Sequence, residues 1–138
     1  MPKNDFNYYF YRKIKFLEMN ILVDILVVVV ILLHLYFLWL EMFAWTTAGK
    51  KTFKMLSPDL FEKTKVLAAN QGLYNGFLAA GLFWSLLIGD IVWADNVGLF
   101  FLGCVLTAGI YGWYSVSARI FYIQGLPALI GIILILLK

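Results

Sequence analysis

The sequence predicts an all-α integral membrane protein, built as an antiparallel bundle of four transmembrane helices. The chain of 138 residues is 63% hydrophobic and only 14% charged. Its mean hydropathy of +0.86 is far above that of soluble domains. Four long apolar runs are separated by short polar segments, and connections this short make consecutive helices antiparallel neighbours.

The first apolar run covers residues 21–44 and contains Asp24, His34 and Glu41. It is long enough to cross a bilayer. It is too long for a signal peptide and carries bulky residues where a cleavage site needs small ones, so it is expected to remain as an anchor. Residues 1–20 mix aromatic and basic side chains, as in Tyr11-Arg12-Lys13, and are predicted to form an interfacial extension.

The remaining chain, with the first span, is predicted to be one transmembrane domain over residues 21–138. A basic loop over residues 49–54 precedes Ser57-Pro58-Asp59, which is typical of a helix start. An amphipathic start over residues 58–65 leads into a span over residues 66–88. Further spans are predicted over residues 97–116 and 120–137. In the last span, Pro127 with Gly125 beside it predicts a kink next to Gln124, which would widen the polar region there into a cavity.

Basic residues do not determine the orientation of the chain. Six of them lie in the loops after spans one and three, and five lie on the other side. Translation from Met19 would leave six basic residues in the loops after spans one and three and one on the other side. The loops would then face the cytoplasm, and both termini would lie outside it.

Most polar side chains of the predicted spans lie at one depth. Because consecutive helices alternate in direction, the end of span one shares a depth with the start of span two, the end of span three and the start of span four. The other half is predicted to be almost entirely apolar, except for Asp24 and Ser85. The residues of this polar layer are Glu41, Asn70, Gln71, Tyr74, Asn75, Tyr111, Tyr114 and Gln124.

Glu41 is the strongest functional candidate, because an ionisable side chain inside a membrane is costly and needs a partner. Asn75, Gln71 and Gln124 are the expected hydrogen-bond partners. His34 lies seven residues before Glu41 and therefore on the same helix face, which makes the two a candidate proton-transfer pair. The predicted ligand-binding residues are Trp39, Asn70, Gln71, Tyr74, Asn75, Thr107, Tyr111 and Gln124.

Small residues four apart form two ridges, which permit close helix contacts. One runs along span two through Gly72 and Gly76, and the other runs along span three through Cys104, Ala108 and Gly112. Because spans two and three are adjacent and antiparallel, the ridges predict contact between these two helices rather than exposure to lipid. The single cysteine excludes an intrachain disulfide and a multi-cysteine metal site. Neither a metal nor a cofactor is expected.

Four segments resemble the bacterial membrane family called domain of unknown function 1304. They are the runs over residues 34–46, 63–76 (with Asn70-Gln71-Gly72-Leu73-Tyr74-Asn75-Gly76), 103–112 and 124–127. The resemblance covers nearly the whole chain from Met19 onward and implies a four-helix membrane protein, but no activity. Small multidrug transporters and sterol isomerase-like enzymes are similar only in architecture or in residue type.

The leading hypothesis is a site that binds a small apolar or amphipathic, lipid-like molecule in the polar layer. An isomerase-like version adds proton transfer by Glu41 and His34. One alternative is a proton-coupled transporter that uses Glu41 and works as a homodimer, and another is a purely structural protein. The expected location is the bacterial cytoplasmic membrane, as a multi-pass protein in contact with lipid. Nucleic acid is not an expected partner.

Overall fold

The computed structural model describes residues 3–54 and 56–138, and all regular structure in this part is helical. Helix α1 spans Lys3–Met42, α2 spans Lys50–Thr52, α3 spans Pro58–Leu87 and α4 spans Ile91–Ser115. A short α5, Ala118–Ile120, leads to α6, Leu126–Leu137. Two π-helical turns, Trp45–Gly49 and Phe121–Gly125, complete the chain.

Three of these helices are long and apolar enough to cross a membrane, among the residues that the structure describes. They cover Phe6–Met42, Ile91–Ser115 and Ala118–Leu137. Helix α3 has 30 residues, or about 45 Å, but it begins with Asp59, Glu62, Lys63 and Lys65 and carries amide side chains in its middle.

Helix α3 starts where the sequence predicts, and two other helices start before the spans that they contain. Helix α3 begins at Pro58, as predicted, with Asp59 in its first turn. The Ser57 hydroxyl and the Lys63 ammonium, which lies 2.9 Å from Asp59, hold the pKa of the Asp59 carboxyl below its usual value. Helix α1 begins at Lys3 and α4 at Ile91, before the predicted spans that start at residues 21 and 97. The Asp90 side chain caps α4 by accepting a hydrogen bond from the Trp93 backbone at 2.9 Å.

The N-terminal extension is continuous with the first predicted span. No glycine or proline interrupts residues 3–42, so the helix has no reason to end at residue 20. Residues 1 and 2 of the extension lie outside the described residues. The aromatic side chains of this region, including Phe6, Tyr9 and Tyr11, are exposed.

A π-helical turn lies next to Pro127, where the sequence predicts a kink. The backbone N–H of Leu126 bonds to the carbonyl of Phe121, five residues earlier. Proline at position 127 has no N–H to continue an α-helical ladder, which explains why the irregular turn lies directly before it.

Buried side chains from four helices form a single apolar core. Helix α1 packs along α3, and α4 packs against α3 and against the chain from Ala118 onward; α6 also contacts α1. The core includes Val27, Val30 and Ile31 of α1, Ala79 and Leu82 of α3, Leu102 and Val105 of α4, and Ala128 and Ile135 of α6.

Glycines of α3 and α4 allow neighbouring parts of the chain to approach closely. A Cβ added at Gly72 would lie 3.0 Å from the Met42 nitrogen and 3.1 Å from the Leu38 oxygen, so this ridge faces α1. On α4, a Cβ added at Gly109 would lie 2.6 Å from the Gly125 Cα, and one at Gly112 would lie 2.5 Å from Ile120. The predicted contact between the second and third spans is confirmed, because α3 packs against α4. Gly72 and Gly112 themselves lie against α1 and α5. Small residues allow close approach, but they do not choose the neighbour.

Candidate functional site

A hydrogen bond between α1 and α3 holds Glu41. The Asn75 amide nitrogen donates to Glu41 Oε2 at 2.7 Å. Asn75 is 8% exposed and Glu41 is half-buried. The bond is possible because Gly72, one turn before Asn75, brings the two helix backbones together. The expectation that an amide of span two is a partner of Glu41 is confirmed.

An open groove of about 360 Å³ lies beside this bond, between the end of α1 and the first half of α3. Its polar lining consists of Glu41, Thr64 and Gln71, with the indole of Trp45. The remaining lining residues are Leu56, Leu60, Leu67 and Ala68. Such a groove presents a few polar groups on an otherwise apolar wall, which is typical of small-molecule sites.

Trp45 forms one end of the groove and is fixed in position. Its indole N–H donates to the Thr64 hydroxyl oxygen at 3.0 Å, and the Thr64 hydroxyl donates to the Leu60 carbonyl at 2.7 Å. The ring also packs on Phe53 and Phe61, with centroids 5.4 and 5.1 Å away. Trp45 begins the first π-helical turn, which follows α1 directly. Two bonds already use the indole N–H and the Thr64 proton, so Glu41 and Gln71 are the groups left to recognise a ligand.

His34 is fully buried and lies apart from the groove. Its Nδ1 is 2.8 Å from the Val30 carbonyl, and since a carbonyl only accepts, Nδ1 carries the proton. Its Nε2 is buried and has no hydrogen-bond partner among the described residues. The Phe37 ring meets the imidazole edge to face at 5.9 Å. Two helical turns, about 10 Å, separate His34 from Glu41, and the structure does not bring their side chains together.

The other predicted ligand-binding residues are divided between the surface and the helix contacts. Trp39, Asn70, Tyr74, Thr107 and Tyr111 lie on the outer surface and do not line the groove. The Thr107 hydroxyl bonds to its own helix, at the Gly103 carbonyl 2.8 Å away. Gln124 is half-buried where α4 meets the second π-helical turn, with its Cγ 3.5 Å from the Cβ position of Gly109.

A second polar cavity, which the sequence reasoning missed, lies at the opposite end of the protein. The Lys138 ammonium is 2.6 Å from an Asp95 carboxylate oxygen and donates to the Asn20 side-chain oxygen at 2.7 Å. Asp24 and Ser85 also line this cavity of about 290 Å³. Asp24 and Ser85 are the two polar residues that the sequence placed in this half, whereas Asn20, Asp95 and Lys138 lie just outside the predicted spans. The alternation of helix direction already placed Asn20, Asp95 and Lys138 at one depth and was the signal that could have found them.

Comparison with known proteins gives a family but no activity. The family model described as "Protein of unknown function (DUF1304)" matches residues 28–136. The chain is 31% identical over 119 residues to the uncharacterised protein YpaA of Lactococcus lactis subsp. lactis (strain IL1403). This match covers 83% of the chain and 97% of YpaA. No solved structure matches the chain. Because the family model matches most of the chain, the chain belongs to the DUF1304 family.

Proposed function

We propose that the protein is a multi-pass protein of the bacterial cytoplasmic membrane, in which α1, α3, α4 and the segment from α5 to α6 form an antiparallel four-helix bundle. Helix α3 is the fourth span, because no charged residue follows Lys65 in it. Its length of about 45 Å exceeds a hydrocarbon core of about 30 Å, so its charged first turns project beyond the core. Many of its exposed side chains beyond Lys65 are apolar or aromatic and suit lipid, as at Val66, Leu67 and Phe77.

Within this bundle, the Glu41 groove binds a small amphipathic, lipid-like molecule. The observation that carries the proposal is the position of the Glu41 carboxyl, which is held by Asn75 in a groove with leucine walls. Asn75 is bonded to one carboxyl oxygen of Glu41, which leaves the other oxygen for a ligand. Gln71 adds an amide that both donates and accepts. A ligand with hydroxyl or other N–H and O–H donors at its head and an apolar tail matches this surface.

The proposal is for binding, without proton transfer between Glu41 and His34. His34 does not line the groove, and its Nδ1 proton is engaged by the Val30 carbonyl. The proton-coupled transporter and the purely structural protein remain the alternatives. Neither alternative requires a neutral amphiphile to bind at Glu41, whereas the proposal does.

Glu41→Gln is expected to weaken binding of 1-monodecanoylglycerol by about tenfold, the effect of losing one hydrogen bond to a charged group. Glutamine keeps an oxygen for Asn75, so the contact between helices remains. The fraction of protein that carries the probe would be measured by native mass spectrometry after delipidation. Methyl decanoate, which has no donor at its head, should bind the wild-type protein more weakly than the glyceride.

Glu62→Gln is the matched control, because Glu62 is an exposed glutamate in the first turns of α3 and does not line the groove. It should bind the glyceride as the wild-type protein does. Equal binding by the Glu41→Gln and Glu62→Gln variants would contradict the proposal. A wild-type protein that retains no glyceride would contradict it as well and would favour the structural alternative.

A further inference from the structure

The cavity at the opposite end of the protein has a charge pattern that selects its ligand. It lies where α1 passes Asn20 and Asp24, beside the end of α3, the start of α4 and the end of α6. Its apolar wall includes Val27, Leu86 and Ile135. Its volume of about 290 Å³ is close to the lower limit of about 300 Å³ for small-molecule sites. A short ligand fits this volume better than a full lipid.

Lys138 does not offer a free positive charge to this cavity. Its side chain is only 7% exposed, and its ammonium is bonded to Asp95 at 2.6 Å and to Asn20 at 2.7 Å. An anion would have to displace both partners and would also meet the Asp24 carboxylate. The cavity is therefore unsuited to phosphate or to a carboxylate ligand.

The Asp24 carboxylate is the negative charge of the cavity that no cation pairs with in the described part of the chain. With Asp24 and Asp95 against the single ammonium of Lys138, the lining has one excess negative charge. Ser85 is buried and donates its proton to the Leu82 carbonyl at 2.7 Å, which leaves the hydroxyl oxygen as an acceptor. The Asp24 carboxylate and the Ser85 hydroxyl oxygen are thus acceptors available to a ligand.

We propose that this cavity binds a short-chain amphipathic amine in its ammonium form. The ammonium group donates to the Asp24 carboxylate, and the alkyl chain lies against Val27, Leu86 and Ile135. A metal ion is a poor match, because the described residues contain no group of three or more histidine, cysteine or acidic side chains arranged to hold one. An organic cation satisfies both the acceptors and the apolar wall.

Hexylammonium is the probe, titrated calorimetrically into the full-length Glu41→Gln variant so that the groove at the other end offers no carboxylate. We expect one molecule of hexylammonium to bind per chain. Adding Asp24→Asn should weaken this binding by about tenfold, as expected for one charge-assisted hydrogen bond. Hexan-1-ol has the same chain length and no charge. It should bind the Glu41→Gln protein no more tightly than hexylammonium binds the protein that also carries Asp24→Asn.

Asp90→Asn is the matched control, since Asp90 is an exposed aspartate at the same end and lies outside the cavity lining. Asparagine also caps helices, so α4 should start normally. This variant should bind hexylammonium as its parent does. Equal affinities of the Asp24→Asn and Asp90→Asn proteins would overturn the proposal, as would hexan-1-ol binding as tightly as hexylammonium or no binding of hexylammonium at all. The cavity and the groove share no lining residue, so none of these results would affect the Glu41 proposal.

Discussion

Gly109→Ala is expected to lower the free energy of unfolding by about 2 to 3 kcal/mol, the upper range for overpacking a core. The new Cβ would lie 2.6 Å from the Gly125 Cα and 2.8 Å from the Gly125 nitrogen. Carbon atoms normally approach to about 3.5 Å. The obstructing atoms belong to the backbone of the second π-helical turn, so no side-chain rotation relieves the overlap. The helices must separate instead.

Unfolding in mixed micelles with increasing dodecyl sulfate would measure this loss. Gly103→Ala is the control, because Gly103 lies on the same helix and nothing lies within 4 Å of its Cβ position. The control should unfold at nearly the wild-type dodecyl sulfate fraction. Similar stabilities of the two variants would mean that α4 and the second π-helical turn are not in the close contact described here.

Asp95→Ala is expected to destabilise the protein by about 3 kcal/mol, the lower end of the range for breaking a buried ion pair. The change leaves the Lys138 ammonium, on a side chain that is 7% exposed, with only the Asn20 oxygen as a partner. Asp95 itself is 26% exposed, which keeps the loss near the lower end. The same dodecyl sulfate titration would measure it.

The double variant Asp95→Ala with Lys138→Met tests the cause of that loss. Removing the unpaired ammonium should restore most of the stability, because a neutral side chain of similar length carries no desolvation cost. A double variant as unstable as Asp95→Ala would show that the loss comes from packing around Asp95 rather than from an unpaired charge.

The positions of the helices could be predicted from the sequence more reliably than the contacts between them. Pro58 after Ser57 marked the start of α3, and Pro127 marked the irregular turn before α6, because proline acts through its own backbone. Helix α1 starts before the predicted first span, since a change from basic and aromatic to apolar residues alters the preferred surroundings but does not end a helix.

Within the candidate site, the depth of each side chain along the bundle could be predicted, but not whether the side chain points inward or outward. Alternating helices placed Glu41 level with Asn75, and the two are bonded. The same argument placed Tyr111 at that level, but Tyr111 is 70% exposed. Spacing by three and four residues defines one face of a helix without stating whether that face points inward. Trp45 and Thr64 were missed because their bond depends on the π-helical turn after α1, which no residue pattern announced.

The central claim is that Glu41 and the walls beside it form a binding groove for an amphipathic molecule. Photo-crosslinking tests it most directly, with a monoacylglycerol that carries a diazirine in its acyl chain close to the head group and with the protein in lipid nanodiscs. Mass spectrometry of the digested protein would locate the attachment sites.

We expect attachment to concentrate on the groove residues Glu41, Trp45, Leu60, Thr64 and Gln71. Excess unlabelled 1-monodecanoylglycerol should suppress it, and Glu41→Gln should reduce it, whereas Glu62→Gln should not. Attachment spread over outward-facing residues such as Val66, Phe77 and Trp84, without enrichment in the groove and without a response to either the competitor or Glu41→Gln, would contradict the account.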